Sequence, residues 1–242
     1  MSKNNILVFV PSPRDIPEVR QPIVDILYPD FDVIWFKYFQ ELDAYQKVRK
    51  YFLESDRNYD YLCIIPDDLA INKEGIDLLL NELENPSLDL SQYQNKYPVL
   101  AGVCNYSYIN AEQMTLVAAS VSSTTSSYLL SFGMLDKMKD SIIKCAWIGF
   151  SCEFIHRSVL EQIDFRSHPS LGLDNVFSDS LIKKKIPQYI LKTARFTHYK
   201  GLSVQYKNAL SVNPDVIYSG IYKPYILFHD SQKNKKMEKP PQ

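Results

Sequence analysis

The chain has 242 residues, of which 45% are hydrophobic and 23% charged. That composition excludes wholesale disorder, a collagen-like repeat and a coiled coil, and the length suits one large domain. With 27 basic and 28 acidic residues, the net charge of −1 supplies no field for long-range capture of nucleic acid or an anionic membrane.

Ile6 to Val10 is a continuous β-type apolar run closed by Pro11-Ser12-Pro13, the pattern of a buried strand entering a loop. Residues 16–27 predict a weak helix, and Asp32 to Tyr38 a second buried strand. Glu41 to Glu54 places Leu42, Tyr45, Val48, Tyr51 and Phe52 near one helical face. Tyr59 to Ile65 predicts a third strand, followed by Pro66-Asp67-Asp68 and a helix over Lys73 to Glu84 with Ile76, Leu79, Leu80 and Leu83 on one side. Strand, helix, strand, helix, strand is the opening of a right-handed parallel α/β fold.

The second half is less regular. Tyr97 to Cys104 reads as a strand, and residues 118–131, rich in Ser and Thr, as either a mobile segment or a β-hairpin. As a mobile segment it would order as a lid over a bound ligand. Ile142 to Ile155 is strand-like and broken at Gly149, Ser158 to Ile163 begins a short helix, and Leu173 to Lys185 forms a longer one. Gln188 to Leu191 is a strand, and a short stretch after it ends at His198. No internal repeat is visible, so a single domain is expected over 1–230, with a disordered Lys-rich tail over 231–242. The aromatic stretch Tyr218 to Phe228 is a candidate surface for a partner subunit. With the basic tail it allows weak peripheral membrane contact.

Seven glycines, at 75, 102, 133, 149, 172, 201 and 220, permit neither G-x-G nor G-x-x-x-x-G-K. The dinucleotide fingerprint and the phosphate loop are therefore excluded. Cys63, Cys104, Cys145 and Cys152 show no C-x-x-C spacing, and their apolar surroundings read as reduced, buried thiols of a cytoplasmic protein. The apolar run at residues 6–10 is too short for a secretion signal, and no run approaches the roughly 18 residues of a transmembrane segment.

Two adjacent carboxylates, Asp67 and Asp68, close a buried strand where open α/β sheets place their ligands. Neighbouring acids repel, and a divalent cation, which takes hard oxygen ligands, holds them together. The competing reading is a cap for the following helix. A second constellation runs from Gly172 to Lys200: Asp174 opens a helix, and the next strand leads to His198 and Lys200. Taken singly, an acid such as Asp174 is more often a helix cap than a base, and a lone histidine such as His198 more often a packed or surface side chain than a ligand.

Three segments occur in order: YLCIIPDDLAINKEGIDLLLNEL, WIGFSCEFIHRSVLEQIDF and LGLDNVFSDSLIKKKIPQYILKTARFTHYK. Over residues 6–200 this set resembles the GT-A-fold nucleotide-sugar glycosyltransferases, in particular the inverting, family-2-like group. The resemblance implies a GT-A-like, Rossmann-like α/β fold whose central sheet is mixed but mainly parallel and flanked by helices. It implies a metal-dependent hexosyltransferase-type enzyme that moves a sugar from a UDP- or GDP-sugar to a hydroxyl of a glycan, lipid-linked or protein acceptor. In that reading Asp68 ligates Mn²⁺ or Mg²⁺, with Asp67 beside the metal and ribose. His198 completes the metal site, and Lys200 meets a phosphate. Asp174 is the general base. Pro11 and Arg14 lie in the nucleotide-contacting loop, and Trp147, Gly149 and Phe150 line the acceptor side.

The chain departs from the family pattern in three places. Pro66 stands at the first acidic position, Leu173 at the residue before Asp174, and in the helix after the second strand only Arg49 offers a substitute for the usual polar signals. The alternative is therefore a catalytically silent, transferase-like protein that binds nucleotide or sugar or serves a structural role. A sugar nucleotidylyltransferase would need a glycine-rich first loop, which PSPRDIP lacks, and a serine hydrolase elbow fails because Glu153 takes the place of its closing glycine.

Overall fold

The computed structural model describes residues 5–12, 17–28, 30–37, 41–109, 112–121, 126–198 and the backbone of 226–228. The first half runs β1 (Ile6–Ser12), α1 (Pro17–Leu27), β2 (Asp32–Lys37), α2 (Glu41–Glu54), β3 (Tyr61–Ile64), β4 (Leu69–Ala70) and α3 (Lys73–Glu84). The second runs β5 (Val99–Ile109), β6 (Glu112–Val121), β7 (Ser126–Ser131), α4 (Phe132–Lys137), β8 (Ile142–Cys145), β9 (Trp147–Ile148), β10 (Glu153–His156), α5 (Arg157–Leu160), α6 (Leu173–Lys183), β11 (Gln188–His198) and β12 (Ile226–Phe228).

Among the described residues these strands join in the order β12-β2-β1-β3-β10-β5-β11-β4, with β6 to β9 branching from β5 and β11. Strand alternation sends Ile6, Val8 and Val10 into one core with α1 and α3. Leu7 and Phe9 enter a second core with α2, α5 and α6. The result is a helix, sheet, helix sandwich. A third core under the hairpin gathers Ala101, Val103, Val117, Leu130, Leu135, Cys145, Ile148 and Ile190.

The α/β architecture expected from the sequence is present, but the sheet is not mainly parallel. β1 pairs in parallel with β2 and β3, and β5 with β11, whereas β10 runs antiparallel to both β3 and β5. β6, β7, β8, β9, β4 and β12 also pair antiparallel. A parallel return needs a crossover of a dozen or more residues, and the short connections from β5 to β6, β6 to β7 and β8 to β9 leave no room for one.

The helices over Glu41–Glu54 and Lys73–Glu84 have the predicted bounds. The Ser-rich stretch takes the hairpin alternative, β6 against β7, with 122–125 outside the described residues. All four cysteines are free and buried, as expected. The strand at residue 188 continues to His198, because Ala194 and Phe196 are buried while Thr193, Arg195 and Thr197 are exposed. Residues 226–228, within the proposed partner surface, instead pair with β2 of the same chain. The remainder of Tyr218–Phe228 and the tail lie outside the described residues, as do Arg14 and Lys200.

Candidate functional site

Beyond β3 the backbone stays in register for one more residue, as the Ile65 N–H donates to the Phe9 carbonyl at 3.0 Å. A turn closed by the Leu69 N–H on the Pro66 carbonyl, 3.1 Å, then carries Asp67 and Asp68 into β4. β4 pairs antiparallel with the end of β11, setting Leu69 opposite His198. This pairing joins two residues far apart in the sequence: Asp68 Oδ2 is 3.2 Å from His198 Nε2.

The surrounding structure fixes both partners. The Asn105 side chain brackets the His198 backbone, accepting from its N–H at 2.9 Å and donating to its carbonyl at 3.2 Å. Asn72 caps α3 by accepting from the Gly75 N–H at 2.8 Å, and its amide donates to the Arg195 carbonyl at 2.7 Å. The cap of this helix is thus Asn72, which answers the capping alternative for Asp67 and Asp68. Both acids are buried, 4% and 8% exposed, an expensive place for carboxylates. His198 Nδ1 is also buried and has no hydrogen-bond partner among the described residues.

A second group of acids lies on the α2 and α6 side. Asp174 stands in the first turn of α6, whose cap, Gly172, offers no side chain. A Cβ on Gly172 would come within 2.5 Å of Asp174 Oδ1, so the bare glycine makes room for the carboxylate. That same oxygen accepts from the Asn175 backbone N–H at 2.8 Å and from its amide at 3.2 Å. Burial pushes the Asp174 pKa up, and these donors together with the Trp147 indole N–H only partly offset it. The indole N–H is buried without a completed hydrogen bond, so its effect on Asp174 is that of a nearby dipole.

Glu153, at the start of β10, is 1% exposed, and neither carboxyl oxygen has a hydrogen-bond partner among the described residues. Burial, and after it the charge of Asp174, hold its pKa well above the usual carboxylate range. Tyr45 on α2 feels several of these charges. Its pKa is raised by burial and then by Glu41, Asp174, Glu153 and Asp67. The Tyr45 ring stacks on Phe150 with centroids 5.2 Å apart. Asp68 meets His198, and Asp67, adjacent in sequence and also buried, adds only the smallest of the charge effects on Tyr45.

The segment joining these groups is held in an unusual backbone. Phe150 has φ of 41° and Cys152 φ of 54°, both left-handed and both non-glycine. Such residues persist only where the surroundings over-determine them, and they concentrate at functional sites. Here Phe150 is fixed among Tyr45, Phe165 and Phe177, and the Ser151 hydroxyl between them donates to the Gly102 carbonyl at 2.8 Å.

Of the residues expected at the site, the structure brings together Asp68 with His198, with Asp67 buried next to Asp68, and sets the Trp147 indole near Asp174. Gly149 and Phe150 are buried behind them, so Phe150 supports the wall. Pro11 is a buried residue of β1 opposite Phe36. Arg49 serves the fold: its Nε donates to the Leu160 and Ile163 carbonyls, and Nη1 is 3.7 Å from Asp164. Sequence reasoning passed over Glu153, Tyr45 and Asn105. The available signal was a single acid inside the apolar run IGFSCEFI.

Among the described residues, no three or more His, Cys, Asp or Glu side chains form a group able to hold a metal ion by themselves. No described helix is long and apolar enough to cross a membrane. No family model matches the chain, and no curated protein matches it. A solved structure described as A197 from STIV is similar at 19% identity and a TM-score of 0.48, covering 77% of this chain and 81% of that chain.

Proposed function

We propose that the chain is a metal-dependent glycosyltransferase that transfers a sugar from a nucleotide-sugar donor to an acceptor hydroxyl with inversion. The observation that carries this reading is the 3.2 Å approach of Asp68 and His198 beyond β3, with Asp67 buried next to Asp68. Two first ligands of one octahedral ion stand about 3 Å apart when each bond is about 2.1 Å. A carboxylate and an imidazole suit Mn²⁺ better than Mg²⁺, which prefers oxygen alone. Two protein ligands are few, and that suits an ion whose remaining positions belong to substrate phosphates and water.

Asp68 and His198 would hold the cation. When bound, a divalent cation offsets the charge that develops on a departing nucleoside diphosphate. Asp174 supplies the other half of the chemistry. Its raised pKa makes it a stronger base than a surface carboxylate, and Asn175 fixes Oδ1 in place, so the group is poised to accept the proton of an attacking hydroxyl. Trp147, whose indole acts on the same carboxylate, marks the acceptor side. Asp67 keeps Asp68 company on the donor side, and Arg14 and Lys200 extend the donor contacts in this reading.

A second reading, nucleotide binding without turnover, is favoured by Leu173, a buried core residue where the family pattern has an acid. Incubation with UDP- and GDP-sugars, Mn²⁺ and a panel of glycan acceptors separates the two. Release of nucleoside diphosphate that depends on acceptor and is lost in Asp174→Asn supports transfer. Metal-dependent nucleotide binding with no release supports the silent alternative.

A further inference from the structure

β11 reaches His198 by outrunning the strand that supports it. As far as Phe196 it runs parallel beside β5, with Phe196 in register with Cys104. At the next residue β5 changes partner: Asn105 is in register with Thr115 of β6, and the pairing of β5 with β11 ends. Thr197 and His198 go on to pair with β4. A strand end released by its neighbour has backbone donors and acceptors to satisfy, and it is the part of a strand that opens most readily.

The Asn105 side chain takes over where the β5 backbone stops. Its Oδ1 accepts from the His198 N–H at 2.9 Å, and its Nδ2 donates to the His198 carbonyl at 3.2 Å. A carboxamide is a peptide group on a one-carbon stem, so it offers the donor and acceptor that a further residue of strand would have offered. Water would satisfy the same two backbone groups without holding them in place. A side chain rooted in β5 does both. Three residues earlier the Asn72 amide donates to the Arg195 carbonyl at 2.7 Å, so the strand end is tied from α3 as well as from β5. The histidine that these ties carry stands 3.2 Å from Asp68.

Building on the transferase reading, we propose that Asn105 is a positioning residue for the metal site: by bracketing the His198 backbone it sets the imidazole beside Asp68, within reach of the cation that the two would share. Asn105 touches neither cation nor substrate and acts through His198 alone. The demand on it is strict, because a ligand group held about 1 Å too loosely no longer meets the geometry of its site. Asn105→Leu keeps the shape of the side chain and removes both hydrogen bonds.

The test uses the full chain with nitrogen-15 in its four histidines, the ring signals of His198 being those absent from His198→Gln. In the wild-type background Asp68→Asn shifts these signals, because the carboxylate is 3.2 Å from Nε2. In an Asn105→Leu background the same change at Asp68 leaves them in place, since the imidazole has moved off the carboxylate. Calorimetry gives the second readout: Mn²⁺-dependent binding of whichever of UDP and GDP the wild type takes up weakens about 10- to 100-fold in Asn105→Leu, the usual cost of losing a group that orients a metal ligand. Thr115→Val controls for stability alone. It removes the 2.8 Å hydrogen bond from the Thr115 hydroxyl to the Leu130 carbonyl and lowers the unfolding temperature, yet leaves both readouts unmoved. Should the leucine variant fail to fold, Asn105→Ala takes its place. An Asp68 effect undiminished in a folded Asn105 variant, or a loss of Mn²⁺-dependent binding matched by Thr115→Val, would overturn the proposal. The ring signals are read without metal, so a wild type that binds neither nucleotide with Mn²⁺ refutes the transferase reading, while the dependence of the His198–Asp68 contact on Asn105 still decides the positioning role.

Discussion

Asp174 occupies a helix first turn, where the aligned peptide dipoles and the Asn175 donors favour a carboxylate. Burial nevertheless wins, and the pKa is raised. An acid with a folded-state pKa above its unfolded one stabilises the fold relative to its ionised form only at low pH, and that benefit is lost as pH rises through the folded-state value. Asp174→Asn is therefore expected to unfold at a higher temperature than wild type at pH 7 and at the same temperature near pH 3, as measured by thermal denaturation across pH. The same substitution is expected to lower transfer by about 10² to 10⁴-fold, the usual worth of a general base. Gly172→Ala reaches the same carboxylate by another route: the added methyl displaces Oδ1, and transfer falls while the circular dichroism spectrum stays that of the wild type.

At the scale of elements, His198 depends on β11 keeping its register past a bulge between Ile190 and Arg195. Phe196 wedges that strand against two glycines, and a Cβ on Gly102 would meet its ring at 2.3 Å and the Ala194 carbonyl at 2.9 Å. The ring is held between Gly75 and Gly102 and the carbonyl belongs to the backbone, so neither yields easily. Gly102→Ala is expected to cost about 1–3 kcal/mol in denaturant unfolding and to weaken Mn²⁺ binding by disturbing the strand that carries His198. Phe196→Ala leaves a cavity in its place and costs about 3–5 kcal/mol. How far the elements were legible follows from the same physics. α2 and α3 show in the sequence because one helical face is buried and the other wet, whereas the end of β11 has a strand's period of two, buried Ala194 and Phe196 between exposed Thr193, Arg195 and Thr197, carried by only two apolar residues and so easily missed. β4, two residues long, has no period to detect, yet it is the strand that delivers Asp68 to His198.

On the scale of the whole molecule, the sheet is what assembles the site. β3 and β10 meet antiparallel at Ile64 and Glu153, which sets the end of the strand leading to Asp67 beside the start of the strand leading back from Trp147. The acids at 67, 68 and 174 and the histidine at 198 stand out in the sequence by residue type. Their division into two groups does not, because it depends on which side of a mixed sheet each segment enters. Glu153 escaped for a related reason: one acid in an apolar run carries no signal until its burial and lack of partners are seen.

The measurement that tests the central claim most directly is thermal unfolding of the wild type, Asp68→Ala and His198→Ala with UDP or GDP, each with Mn²⁺, with Mg²⁺ and with chelator. Ligand that binds only the folded state raises stability by mass action, about 2.7 kcal/mol at a hundred times the dissociation constant. The account predicts a shift for one nucleotide that requires a divalent cation, is larger with Mn²⁺ than with Mg²⁺, and is lost in both variants. A nucleotide shift indifferent to chelator, or one that survives removal of Asp68 and His198, would contradict it.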